Sequence, residues 1–238
     1  MTRTSGCASV ETATHLLADD IARALSGAGD AFRLEQLAAR HTEAAGLGAL
    51  RALGTDVLAP FVLDRRPLAP ADVTLLSEAV RAFPAPLPAD PATARLWALR
   101  DWALSRTLAD LGVDALGWVG LSEPREPAED ECAPWPTWTA SLGRLSALAL
   151  PALASPQREQ AKVRRLDLGR GLTHALLVRD RLRAARLARW LALDARTHPE
   201  PLLPPALDHL DALAVDQPRV RLETAVARRY LDHPEAVR

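Results

Sequence analysis

Hydrophobic residues recur at helical spacing along most of the chain. The clearest run, residues 172–196, contains no Gly or Pro and consists largely of Leu, Ala and Arg, which all favour helix formation. It predicts one long, mostly buried helix. The alternation that half-buried strands require is missing, and β-branched residues are scattered. We therefore expect an all-α protein, a multi-helix bundle or irregular helical array of about ten helices in antiparallel hairpins.

Prolines, glycines and acidic residues divide this pattern into segments. Residues 1–10 are predicted to form a flexible tail, and an N-terminal helical subdomain is expected over 11–121. The following stretch contains four prolines and a run of acidic residues without periodicity, which is typical of a linker. We place this acidic Pro/Trp linker at 122–136. A C-terminal helical subdomain with the Arg-rich helix is expected over 137–238.

Three short motifs predict where helices begin and end. Asp90-Pro91 predicts a start, because a carboxylate can cap the free amides and proline is tolerated at the first helical position. Gly112 predicts the end of the same helix. The segment 167–171, DLGRG, could present backbone amides to a phosphate, but it lacks the Lys-Ser/Thr of a P-loop. We interpret it as the end of one helix and the start of the next.

Composition limits the possible function classes. A hydrophobic fraction of 48% and a charged fraction of 25% are those of an ordinary globular protein. The net charge of −1 excludes the overall basic character of a nucleic-acid coat protein. The charge is uneven: residues 157–196 carry eleven basic and four acidic side chains, whereas residues 122–133 carry five acidic and one basic. A local basic surface is therefore expected within a nearly neutral protein.

Cysteine use and hydropathy bear on the cellular environment. Cys7 and Cys132 are far apart and have no CxxC spacing, so neither a zinc knuckle nor a disulfide framework is indicated. The N-terminus lacks the apolar segment of a signal peptide, and charges interrupt apolar runs before the ~18 residues that a membrane span needs. We expect a soluble, cytoplasmic protein without membrane contact. The scarcity of Lys, Ile and Asn suggests a GC-rich bacterial genome.

One face of the predicted long helix is the best candidate binding surface. At about 100° per residue, Arg179, Arg183 and Arg186 fall in one narrow sector that also includes Trp190. A guanidinium can bind carboxylates or phosphates bidentately and can stack on an indole. Together with Arg170, these residues predict a non-catalytic adaptor or regulatory protein that binds an acidic or phosphate-bearing macromolecule, a protein in preference to nucleic acid. A homodimer, or pairing with the protein's own carboxylates, is also open.

Residues 30–61 suggest an alternative function. They contain the stretches RLEQLAAR and GALRALG and resemble the DNA-binding part of helix-turn-helix regulators of the tetracycline-repressor type. The resemblance implies a supporting helix over 34–41 and a reading helix that begins over 48–53. In this alternative the protein is a transcriptional regulator that binds DNA through residues 30–54. The cations that would contact DNA are Arg33, Arg40 and Arg51.

Catalytic motifs are missing from the sequence. It contains no GxSxG, no HExxH and no Glu-x-x-His pair of the di-iron type. His and Asp residues near the C-terminus, His198, Asp208, His209, Asp211 and Asp216, are the closest to a metal-ligand set, but helix caps and solvated charges explain them. We expect no cofactor and no metal. An enzyme with a site assembled from distant residues is the remaining alternative.

Overall fold

A computed structural model gives the architecture of the chain. All of the regular structure in its described residues is helical, without a strand, which confirms the all-α prediction. The chain divides into two units, Met1–Glu126 and Pro127–Arg238, and this division falls within the predicted linker, of which residues 123–132 lie outside the described part. The residues described are 3–27, 32–87, 90–115, 117–122 and 133–232, with only the backbone of 3–9.

The first unit is built around a buried helix. The described helices of this unit are α1 (Arg3–Leu25), α2 (Leu34–Ala38), α3 (Glu43–Leu53), α4 (Ala59–Leu63), α5 (Pro70–Ala82) and α6 (Pro91–Asp110), with a 3-10 helix, Gly54–Leu58, between α3 and α4. Helix α3 is buried from Ala45 to Arg51 and at Leu53, and α1, α2 and α5 contact it. Its Ala residues have small side chains and its Gly residues have none, which allows these neighbours to approach closely.

Helix α6 begins and ends at the predicted signals. The Asp90 carboxylate accepts hydrogen bonds from the amides of Ala92 and Thr93, both at 3.0 Å. Hydrogen bonds from the Thr93 side chain and amide, with smaller backbone contributions, lower the pKa of Asp90 below its ordinary value. At the other end Gly112 has φ +80°, and the amide of Val113 bonds the carbonyl of Leu108, as in a Schellman cap.

Two expectations for the first unit are wrong. The chain is helical from Arg3 onward where residues 1–10 were expected to form a tail, because extending an existing helix costs little compared with starting one. The supporting helix that the resemblance implies over residues 34–41 is only the short α2, which ends at Ala38, since the chain turns at 39–42 and Gly46 packs against the carbonyl of Ala38. The described residues contain one apolar stretch long enough to span a membrane, Glu43–Leu63, and 94% of its most apolar 18-residue window is buried, as in the core helix of a soluble protein.

The second unit is built around α10. Its described helices are α7 (Trp135–Arg144), α8 (Pro156–Val163), α9 (Arg165–Leu177), α10 (Arg181–Leu193), α11 (Leu203–Leu213) and α12 (Pro218–Asp232), with a 3-10 helix at Ser146–Leu148. From Ala184 to Leu193 only Arg186 of α10 is not buried. Helices α7, α8, α9, α11 and α12 all contact α10, so this helix is the core of the unit.

The predicted long helix over 172–196 is in fact two helices, α9 and α10. Arg179 adopts a left-handed conformation with φ +60°. Its amide bonds the carbonyl of Leu176, and the amide of Asp180 bonds that of Ala175, which together form a Schellman cap. The Asp180 carboxylate then accepts from the amide of Arg183 at 3.1 Å and caps α10. The break contains neither Gly nor Pro, which is why the sequence pattern runs through it.

The two glycines of the DLGRG segment lie inside α9, so the expected helix end at this point is wrong. A Cβ atom at Gly171 would lie 2.9 Å from the Cβ and Cγ2 of Thr139 on α7, closer than side chains pack. Gly171 is therefore a contact position for α7 and not a helix stop. At Gly169 the nearest atom to such a Cβ is a carboxylate oxygen of Glu200, 3.9 Å away.

Candidate functional site

Two arginines of α10 belong to a buried polar network. The side chains of Arg189 and Glu223 are both 0% exposed, with 3.0 Å between Nη1 and Oε2. The other carboxylate oxygen of Glu223 accepts from Ser146 Oγ at 2.8 Å and lies 3.3 Å from Arg186 Nε. Arg186, predicted as a binding residue, thus neutralises a buried carboxylate on α12. This matches the alternative in which the basic face pairs with the protein's own carboxylates.

Arg183 and Trp190 connect α10 to α7. Arg183 Nη2 donates to Thr139 Oγ1 at 3.0 Å and to the carbonyl of Pro136 at 3.3 Å. Trp190 is 1% exposed, and its indole donates to the carbonyl of Leu142 at 3.0 Å. Both residues were predicted to bind a partner. In the structure their side-chain donors form hydrogen bonds within the unit and hold α7 and α10 together.

Arg170 and Arg179 are the two members of the predicted set that face solvent. The Arg170 side chain is 54% exposed, and its Nη1 lies 3.3 Å from Asp167 Oδ1. Asp167 also accepts from Arg164 through its other oxygen, at 2.9 and 3.0 Å, so one carboxylate serves two guanidinium groups. Arg179 is exposed in the turn after α9, and its side chain pairs with nothing in the described part of the chain. These two cations remain available to a partner.

An exposed row of residues on α9 lies beside these cations. Leu166 is 69% and Leu177 is 76% exposed, and the positions Leu166, Arg170, Thr173 and Leu177, spaced four, three and four apart, share one face of the helix. This row is called the α9 row below. It lies in a groove of about 620 Å³ whose remaining lining residues are Trp135, Gly169, His174, Glu200 and Leu202.

Contacts behind the groove fix its walls. The Trp135 ring meets the His174 ring edge-on, with centroids 6.0 Å apart. Just before Trp135, the carbonyl of Ala133 accepts from Arg164 Nη2 at 2.9 Å, and the same guanidinium stacks 4.3 Å from the Trp138 ring centroid. The opposite face of α9 is buried in the unit through residues that share small or aliphatic side chains: Leu168, Gly171, Leu172 and Ala175.

Arg165 lies close to the carboxylate of Glu200 on one wall of the groove. Arg165 Nη2 donates to the carbonyl of His198 at 2.6 Å. Burial lowers the pKa of Arg165, and the nearby carboxylates of Glu200 and Asp194 act in the opposite direction. The groove lining therefore holds the carboxylate of Glu200 as well as Arg170, and Arg165 partly offsets that negative charge.

The residues expected to contact DNA do not form an exposed reading surface. Arg51 is 4% exposed and pairs bidentately with the buried Asp101, at 2.5 and 3.0 Å. Arg40 is 60% exposed but lies 3.2 Å from Asp20, and Arg33 is exposed at the start of α2. A reading helix must reach into a groove of DNA, whereas α3, which carries Arg51, is the buried helix of the first unit.

Three of the His and Asp residues weighed as metal ligands, His198, Asp208 and Asp211, have other partners. Asp208 and Asp211 bind Arg228, at 2.8 and 2.7 Å. Burial lowers the pKa of Arg228, and hydrogen bonds to these two carboxylates outweigh it, so that the pKa is raised. His198 Nδ1 lies 2.9 Å from Thr197 Oγ1. Within the described residues no group of three His, Cys, Asp or Glu side chains is placed to hold a metal ion.

The α9 row was missed in the sequence because Leu177 was counted in the mostly buried helix predicted over 172–196, and Leu166 lies before that helix. Leucines occur on two faces of α9, Leu166 and Leu177 on one and Leu168 and Leu172 on the other; this surplus signals that one apolar face is exposed, but does not show which. Comparisons with known protein families, with curated proteins and with solved structures find no significant match. The surface is therefore interpreted from its own chemistry.

Proposed function

We propose that this protein is a non-catalytic helical adaptor or regulatory protein whose second unit binds a partner protein along the α9 row. The observation that carries the proposal is the exposure of Leu166 and Leu177, 69% and 76%, on the same face of one well-packed helix. Single exposed leucines are ordinary, but a groove that combines several of them with an aromatic ring is typical of an interaction surface. Burying one such leucine contributes about 1.5–3 kcal/mol.

The charge of the second unit supports an acidic partner. Residues 133–232 carry sixteen basic and ten acidic side chains, and the exposed Arg170 and Arg179 lie within and just beyond the α9 row. A phosphate-bearing polymer is a weaker match, because the exposed leucines of the groove gain nothing from a phosphate backbone. A partner protein with both apolar and acidic side chains can contact the exposed leucines and the exposed arginines at the same time.

The test is capture of a partner on the immobilised full-length protein from a native extract. Leu166→Asp/Leu177→Asp removes the apolar contact at two exposed positions, and Val215→Asp is the matched control, because Val215 is 70% exposed and does not line the groove. We expect the wild type and the control to retain the same protein and the double variant to lose it. Equal retention by all three would contradict the proposal.

A further inference from the structure

We infer that the segment that docks on the α9 row is an amphipathic helix with a carboxylate placed opposite Arg170. The inference rests on the proposed function and adds the chemistry of the partner. Its two parts, shape and charge, come from different observations.

The shape of the groove fits a helix. The α9 row repeats at intervals of four, three and four residues, and a second helix presents side chains at the same intervals, so that the two can interdigitate. Gly169 has no side chain and so leaves the surface low next to Arg170, beside the carboxylate of Glu200. A β-strand that binds by adding to a free sheet edge finds no such edge in the described part of the second unit, which has no strand.

The charge in the groove calls for a carboxylate near its centre. Arg170 lies between Leu166 and Leu177 in the row, and its partner Asp167 is shared with Arg164. Around the groove the guanidinium groups of Arg164, Arg165 and Arg170 face the carboxylates of Asp167 and Glu200, which leaves a net positive charge. An acid on the partner can form a bidentate pair with Arg170, and flanking leucines can exclude water from that pair.

A second copy of this chain is a poorer occupant. If α9 packed against α9 of another copy in antiparallel fashion, Leu166 would meet Leu177, but the two Arg170 side chains would lie within about one helical turn of each other. Like charges at that separation oppose association. A different chain with an acidic residue opposite Arg170 would be attracted at the position where two copies of this chain repel each other.

The experiment is a charge exchange with defined probes. Two labelled synthetic helical peptides of about 18 residues carry leucines along one face and differ only in having Glu or Lys at the centre of that face. Their affinities for the full-length protein are measured by fluorescence anisotropy. We expect the Glu peptide to bind about tenfold more tightly than the Lys peptide, and Arg170→Glu to reverse this order. Arg196→Glu, a change at an exposed arginine that does not line the groove, should leave the order as in wild type.

Several outcomes would overturn the inference. Equal affinity for both peptides, or an unchanged order in Arg170→Glu, would exclude a carboxylate opposite Arg170. Dimerisation of the wild-type protein in sedimentation experiments, abolished by Leu166→Asp/Leu177→Asp, would make a second copy the occupant. If the extract yields a partner that depends on Leu166 and Leu177 while the charge exchange has no effect, the adaptor function stands and the acidic helix is wrong.

Discussion

Gly171 on α9 and Thr139 on α7 meet so closely that a Cβ atom on the glycine would lie 2.9 Å from the Cβ of the threonine. This contact brings the start of α7, and with it Trp135, to the edge of the groove. The absence of one side chain at residue 171 therefore helps to position another at residue 135.

The first prediction compares the two glycines of α9. Gly171→Ala should lower the free energy of unfolding of the second unit by about 1–3 kcal/mol, because the added methyl group clashes with Thr139. Gly169→Ala should raise it by about 0.5–1 kcal/mol, because alanine favours the helix and meets only ordinary contact. Urea denaturation followed by circular dichroism measures both. Equal changes in the free energy of unfolding would show that helix propensity alone determines the effect of alanine at both positions.

The second prediction concerns the buried network around Glu223. Glu223→Ala should destabilise the second unit by about 3–5 kcal/mol, because it leaves the fully buried Arg189 without its carboxylate. Glu159→Ala is the control, since the Glu159 side chain is 63% exposed and pairs with Lys162 on the surface, where a pair contributes less than about 1 kcal/mol. Chemical denaturation of the two variants should separate them clearly, and similar midpoints would argue against an ion pair in the core.

The third prediction addresses the turn between α9 and α10. Arg179→Gly should raise the melting temperature, because glycine adopts a positive φ without the roughly 1–2 kcal/mol that other residues require. Asp180→Ala should lower the stability by about 1 kcal/mol through loss of the cap on α10. Thermal unfolding followed by circular dichroism measures both changes. A melting temperature that falls in Arg179→Gly would mean that the arginine side chain itself holds the turn.

The fourth prediction concerns the helix-turn-helix alternative. Arg51→Ala should destabilise the first unit by about 3–5 kcal/mol, since Asp101 would stay buried without its partner. Arg33→Ala/Arg40→Ala changes exposed residues and leaves the fold intact, so it is the better probe of DNA binding. In a titration of double-stranded DNA across a salt series, we expect this double variant and the wild type to behave alike. A smaller salt dependence in the variant would return the regulator hypothesis to consideration.

Local signals in the sequence predict local structure well. Asp90-Pro91 and Gly112 mark the ends of α6 because capping depends on residues a few positions apart. The turn at Arg179 escapes prediction, since an arginine in a left-handed conformation is uncommon. Asp180 was the only indication there, as a residue type that caps helices.

Long-range partners could not be predicted from helical periodicity. The pattern places Arg183 and Arg186 on one face, but the acceptors that hold them, Thr139 and Glu223, lie 44 and 37 residues away in sequence. Periodicity states which residues share a side of a helix and not what lies opposite. For the same reason Leu166 could not be distinguished from Leu168 before the packing of α7 and α10 was known.

One face of α9 packs in the core of the second unit, and the other is the exposed surface proposed to bind a partner. Leu168, Gly171, Leu172 and Ala175 hold the helix in the unit, while the α9 row adds little to that packing. Substitutions along the row can therefore accumulate at small cost to stability, within the ±0.5 kcal/mol typical of surface positions. A lineage of such proteins could change its partner by altering a few exposed side chains and keep the same scaffold.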